Sequence, residues 1–253
     1  MVSPLYKFWL GIRSTFFWVF FLPSVLITAI IVSAVFFLPP KVSGAVLKIW
    51  ISYSLALLRY FCGLKYQVEG LENIPDQGFI LMSKHSSTWE TIALQKFFDP
   101  LVWVVKRELT RIPFFGWSLI TMNAIALDRG TGSKAIKQLV RESKLRMDQG
   151  RTLILFPEGT RVLPKQHKPF KIGGAIVSHK TGYSVVPIAH NAGEFWPRHS
   201  WIKWPGTIRV VIGKPIEPDG KTPNQILGEV EQWITATCDQ ISDHQQLLKL
   251  GIQ

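Results

Sequence analysis

The residues best suited to chemistry lie at Lys84 to Glu90, KHSSTWE, directly after the apolar run GFILMS. An imidazole at 85 and a carboxylate at 90 are the parts of an oriented general base. The carboxylate fixes the ring tautomer and raises the basicity of the other nitrogen. Inside one helix, residues five apart point about 140° away from each other. The pair therefore works only if His85 precedes a helix and Glu90 lies in its first turn. Ser87-Thr88-Trp89-Glu90 also fits a capping box, in which Glu90 does no more than close the helix start. A second constellation is FPEGTR, Phe156 to Arg161, after the apolar run TLILF. It sets a carboxylate, a permissive glycine and a guanidinium at the end of a strand, where open α/β sheets keep their ligand sites. Lys165, Lys168 and Lys171 follow with no acid before Lys180. This reads either as a phosphate clamp, since a guanidinium meets phosphate in a bidentate fork, or as a tight turn into a solvated basic loop. In NAIALDRG, Arg129 ends a third strand, as an anion ligand or as part of a turn. VVPIAHN, Val185 to Asn191, carries Pro187 inside an apolar run and implies an edge strand or a bulge.

Other chemistries find little support. Ser86, Ser87 and Thr88 adjoin His85, but sequence neighbours seldom aim at one atom, and there is no Gly-x-Ser-x-Gly elbow. No covalent nucleophile is expected among them. Cys62 and Cys238 fit neither a metal motif nor a disulfide framework and read as free thiols. His167, His179, His190, His199 and His244 have no carboxylate at useful spacing, and no metal constellation is evident.

Positioning these groups requires strands that alternate with helices. Apolar runs at 78–83, 101–106, 124–128, 152–156, 184–190 and 207–213 read as strands. Helices are expected over Ser87 to Phe97, Gly132 to Gln149, Gly173 to Thr181, and Pro223 to about Leu248. The alternation predicts an α/β fold, with one mixed sheet flanked by helices. The expected division is a membrane-anchoring helical segment over 1–62 and an α/β domain over 63–253.

No charge occurs between Arg13 and Lys41. A helix of that length reaches about 40 Å, against about 30 Å of hydrocarbon, too long for a cleaved signal. Pro23 would kink it, and Pro39-Pro40 would end it. A second apolar stretch, residues 42–63, is broken by Lys48 and Arg59 and reads as an interfacial amphipathic helix. One transmembrane helix and a helical pair dipping into one leaflet both fit. Cations flank both ends of the first run, which favours the pair. WPRHSWIKWPG, Trp196 to Gly206, mixes Trp with Arg and Lys, as a second interfacial anchor or an ordinary loop. Of 253 residues, 47% are apolar and 18% charged, which excludes a disordered or collagenous chain. The net charge of +12 suits anionic partners. The apolar amino terminus and the lack of a recognisable motif argue against nucleic acid.

Taken in order, the four motifs resemble those of the glycerolipid acyltransferases, specifically the 1-acyl-sn-glycerol-3-phosphate acyltransferases. His85-SSTW-Glu90 matches the first family motif, with Glu where the family usually has Asp. Ala126-Leu127-Asp128-Arg129 matches the second, Phe156 to Arg161 matches the third completely, and Val185 to Ile188 matches the fourth. The resemblance runs from about Leu64 to Gly213. It implies transfer of an acyl group from acyl-CoA or acyl carrier protein to the sn-2 hydroxyl of lysophosphatidate, giving phosphatidic acid, with no cofactor and no metal. His85 is then the general base and Glu90 its orienting carboxylate. Arg161 and Arg129 are candidates for the acceptor phosphate, with Lys106 as a third, and Glu158, Gly159 and Thr160 would shape the pocket. Backbone N–H groups near the start of the Ser87 helix are candidates for the oxyanion. Membrane lipids are the expected surroundings, on the cytoplasmic face of the cell membrane. Glycerol-3-phosphate or another lysophospholipid as acceptor, or a non-catalytic membrane adaptor, are the alternatives.

Overall fold

The computed structural model describes residues 2–252, apart from the side chains of Pro40 and Arg129. Two long helices open the chain, α1 (Pro4–Ala34) and α2 (Pro40–Cys62). There follow β1 (Leu64–Glu69), β2 (Ile80–Ser83), α3 (Trp89–Phe97), β3 (Leu101–Lys106), α4 (Phe115–Thr121), β4 (Ile125–Leu127) and α5 (Ser133–Met147). Then come β5 (Thr152–Leu155), α6 (Gly173–Thr181), β6 (Val185–His190), α7 (Ala192–Phe195), β7 (Gly206–Ile212), α8 (Pro223–Gln240) and α9 (His244–Leu250).

The strands form one mixed sheet in the order β1-β7-β6-β2-β5-β3-β4. Only the β6–β7 pair is antiparallel. Parallel β6, β2, β5, β3 and β4 therefore end along one edge, and all four sequence motifs arrive there. Alternation along the strands feeds two cores. Ile80, Met82, Leu153 and Val185 face one side, under Leu139 of α5, Val177 of α6, and Ile226 and Val230 of α8. Leu81, Ile154 and Val186 face the other, in a cluster with Phe17 and Phe21 of α1, Leu58 of α2, and Trp89 of α3. The two amino-terminal helices thus form part of the cover on one sheet face.

A short link joins α1 and α2 into a hairpin. Arg13 Nε donates to Phe61 O at 2.6 Å, satisfying a carbonyl at the end of α2. The rings of Phe21 and Trp50 lie 6.0 Å apart. Both helices are long and apolar enough to cross a membrane. α1 continues through Pro23, and Pro40 opens α2, its missing N–H costing nothing in a first turn.

The structure departs from expectation in three places and decides between two expectations in a fourth. β1 pairs along β7 and had no counterpart among the expected strands. The expected single carboxy-terminal helix breaks after Gln240. There Ser242 Oγ and Asp243 N–H turn aside to donate to buried Glu194, and Asp243 caps α9 by accepting from Gln246 N. Of the edge and the bulge expected for Pro187 the structure has the bulge, within an interior strand, since 188 opposes 212 but 185 opposes 216, one residue more on the partner side. β7 ends at Ile212, and the ladder on that side resumes only at the Val185–Ile216 bridge. Pro187 sits in that gap, still accepting from Gly213 N at 2.9 Å, so its missing donor costs no ladder bond. Lastly, Trp196 to Gly206 is a socket for α1. Trp196 and Trp204 are buried, and Trp201 Nε1 donates to Thr15 Oγ1 at 3.1 Å.

Candidate active site

His85 and Glu90 meet. β2 ends at Ser83 and α3 begins at Trp89, so His85 lies in the connecting loop and Glu90 in the first helical turn. His85 Nδ1 lies 2.9 Å from Glu90 Oε1. The carboxylate must accept, so Nδ1 carries the proton and Nε2 keeps a free lone pair. Glu90 Oε1 also accepts from Ser86 N and Ser87 N, each at 2.9 Å. Only half of the capping box forms, since Glu90 takes the Ser87 amide while Ser87 Oγ accepts from Trp89 N and Thr88 stands at the N-cap. The carboxylate thus orients the base and also closes part of the helix start. Burial works to raise the Glu90 carboxyl, but His190, the bond from His85 and the Ser87 amide together hold it below its ordinary value. It remains an anion that can stabilise an imidazolium.

The PEGTR loop fixes the main chain of His85. Glu158 points inward, away from the cavity mouth, and is buried. It accepts from His85 N at 2.7 Å and from Lys84 Nζ in a short ion pair. Val162 N donates to His85 O at 2.8 Å. Both backbone groups of the histidine are thus bound to one loop. Phe156 stacks on the imidazole, with ring centroids 4.0 Å apart and planes within 14°. Gly159 takes φ +69, a left-handed conformation that favours glycine.

His85 opens on a cavity of about 570 Å³. Phe21, Val25 and Val32 of α1, Trp50 of α2, Ile92 of α3 and Leu119 of α4 make its walls apolar. Lys106 and Arg161 share its lining with His85. Thr160 is half-buried in the loop before Arg161 and is outside that lining. Arg129 begins a 3₁₀ turn after β4, and its side chain lies outside the described residues. One polar triad, with an open nitrogen and two cations, thus faces a chamber with apolar walls.

Comparison with known proteins bears on this arrangement. The Acyltransferase family profile matches residues 65–191. The 1-acyl-sn-glycerol-3-phosphate acyltransferase of Pseudomonas aeruginosa is 43% identical over 204 residues, 79% of each chain. The chain belongs to the 1-acyl-sn-glycerol-3-phosphate acyltransferases. A chloroplastic Arabidopsis thaliana member is 31% identical over 76% of this chain and 53% of its own length. A crystal structure of the Thermotoga maritima 1-acyl-sn-glycerophosphate acyltransferase shares the fold, with TM-score 0.75 over 91% of this chain and 95% of that one, at 24% identity.

Two features of this acyltransferase escaped the sequence reading. His190, at the end of β6, places Nε2 4.0 Å from Glu90 Oε2, an oxygen with no hydrogen bond among the described residues. That Nε2–H donates to Lys84 O at 2.8 Å, and Nδ1 accepts from Ala192 N at 3.3 Å. Burial keeps the His190 pKa below its ordinary value against the pull of Glu90, and the ring steadies the loop before His85 through its bond to Lys84 O. Lys84 is the second, as the partner of Glu158. Three of the amides expected for the oxyanion are already engaged. The amides of Ser86 and Ser87 are taken by Glu90, and that of Trp89 by Ser87 Oγ at 3.1 Å.

Proposed function

We propose that this acyltransferase moves a fatty acyl group from acyl-CoA or acyl carrier protein to the sn-2 hydroxyl of 1-acyl-sn-glycerol-3-phosphate, working at a membrane surface. The observation that carries this reading is the shared mouth of His85, Lys106 and Arg161 on an apolar chamber. His85 Nε2 takes the proton of the acceptor hydroxyl as its oxygen attacks the thioester carbonyl. Glu90 holds the ring and balances the imidazolium. The new C–O ester bond forms, the C–S bond breaks, and the departing thiolate recovers the proton from His85. Arg161 and Lys106, with Arg129 on the neighbouring strand end, are candidates to hold the acceptor phosphate as charge-assisted partners.

Membrane association is supported by α1 and α2, which expose Phe8, Trp9, Phe20, Ile27, Ile49 and Tyr60. Rows of exposed apolar and aromatic side chains on long helices suit a lipid environment. A cytoplasmic position is supported by the two free thiols.

The test is an acyl-transfer assay with lysophosphatidate, glycerol-3-phosphate and a panel of lysophospholipids. His85→Ala should lower kcat by about 10²–10⁴ while the protein stays folded. Arg161→Ala should raise KM for the phosphate-bearing acceptor. A folded His85→Ala variant with full turnover would sink the proposal.

A further inference from the structure

Residues 107–121 behave unlike the other connections of the sheet. They form a 3₁₀ turn, Arg107–Arg111, followed by α4. Leu109, Ile112, Phe114, Phe115, Trp117 and Ile120 are all exposed, Trp117 at 50% and Ile120 at 60%. So dense a run of exposed apolar side chains marks an interaction surface. The turn is also tightly built, since a Cβ on Gly116 would lie 2.3 Å from Thr110 O.

Continuity on the page decides what covers it. α4 packs along α1, and Ser33 Oγ near the end of α1 donates to Phe114 O at 2.9 Å. Just past α1, Phe36 and Phe37 are also exposed, extending the same apolar surface. Arg107 and Arg111 are exposed beside the patch, with Glu108 as the one acid among residues 107–121. Aromatic rings bordered by arginines match the boundary between acyl chains and anionic headgroups. The inner side of the same element lines the cavity through buried Ser118 and Leu119, and Leu109 and Phe115 stand at the rim, partly exposed and partly cavity lining.

We infer that residues 107–121 are a third lipid-inserted element, forming the lip across which an acyl chain passes from the leaflet into the cavity. This rests on the membrane reading of α1 and α2 given above. Its outer face lies among the acyl chains of a leaflet bearing anionic headgroups, and its inner face is cavity wall. A lipid substrate then reaches His85 without its chain crossing water.

The test uses the full chain reconstituted in vesicles of phosphatidylcholine and phosphatidylglycerol. A Cys238→Ser background leaves only buried Cys62. An environment-sensitive dye is attached at Ile120→Cys, at Leu26→Cys on α1, or at Leu145→Cys on α5, each originally an exposed leucine or isoleucine. Lipids with a nitroxide on the acyl chain should quench dyes at 120 and 26 to similar extents, several-fold more than at 145. Quenching at 26 with 120 resembling 145 overturns the lip alone. Quenching at none of the three overturns the membrane reading and the lip together. Shielding at 120 that follows protein concentration and ignores the nitroxide assigns the face to a second copy, and also overturns the lip. In parallel, Trp117→Ser/Ile120→Ser should raise KM several-fold for a long-chain lysophosphatidate in vesicles. It should leave KM for a short-chain, monomeric analogue unchanged, and an equal change for both would count against the inference.

Discussion

A half-buried lysine and a fully buried one are held in opposite ways. Lys84 stands beside the base and has a carboxylate partner, Glu158, that is itself tied to the backbone of His85. Lys203 is 1% exposed and has no carboxylate partner among the described residues. Its ammonium lies 3.5 Å from the ring centre of Trp18, 4.9 Å from that of Trp196 and 5.1 Å from that of Phe17, and donates to Trp201 O at 2.7 Å. At the reacting end, an opposite charge neutralises the cation and locks a loop. At the joint between α1 and the sheet, aromatic faces hold the protonated amine by their quadrupoles. Ion pairing gives direction, and rings give adhesion.

The largest effect that separates the two is expected at Glu158. Glu158→Gln leaves Lys84 unpaired and weakens the acceptor of His85 N–H. Breaking such a buried pair costs about 3–5 kcal/mol, readable as a shift in the urea midpoint. Lys84→Met/Glu158→Gln should recover part of the loss, and a Glu158→Gln variant as stable as wild type would erase the contrast.

Lys203→Met keeps the stem and removes the charge, and its effect should depend on pH. Burial lowers the Lys203 pKa to about 7, with Cys62 opposing, while an unfolded lysine titrates near 10.4. Between those values the unfolded chain binds the extra proton, so this residue makes stability rise with pH. Below about 7 both states are protonated and the contribution is flat. Melting curves of wild type and Lys203→Met should diverge in favour of wild type from pH 7 to 10, on the order of 1 kcal/mol per unit. Parallel curves would show that the cage holds an ammonium throughout.

The smallest effect is expected behind the carboxylate. His190→Asn removes the donor to Lys84 O, a bond worth about 1 kcal/mol. It should lower kcat about fivefold and leave the acceptor KM alone. A larger change in KM than in kcat would mean that the ring serves binding instead.

Much of the sheet was legible because its strands carry local signals. LVWVVK became β3 residue for residue, and the 85–90 spacing could be read because the loop and the first turn are adjacent in sequence. The remainder depended on distant partners. β1 is an edge strand whose polar alternation, LKYQVE, resembles a loop until β7 lies beside it. The break after Gln240 is set by Glu194, more than 40 residues upstream. The inward turn of Glu158 and the approach of His190 to Glu90 arise only once three strand ends meet. Trp196 to Gly206 has the composition of a membrane-surface loop, and its burial depends on α1 lying against it.

One consequence of the hairpin reaches beyond attachment. Because α1 and α2 share a core with Leu81, Ile154 and Val186, the amino-terminal quarter is a roof over the sheet. Removing residues 1–62 to obtain a tractable catalytic fragment would uncover Leu81, Ile154 and Val186 and take away one wall of the chamber. Solubility would have to be sought by redesigning the outward side of the hairpin and leaving its inward side untouched.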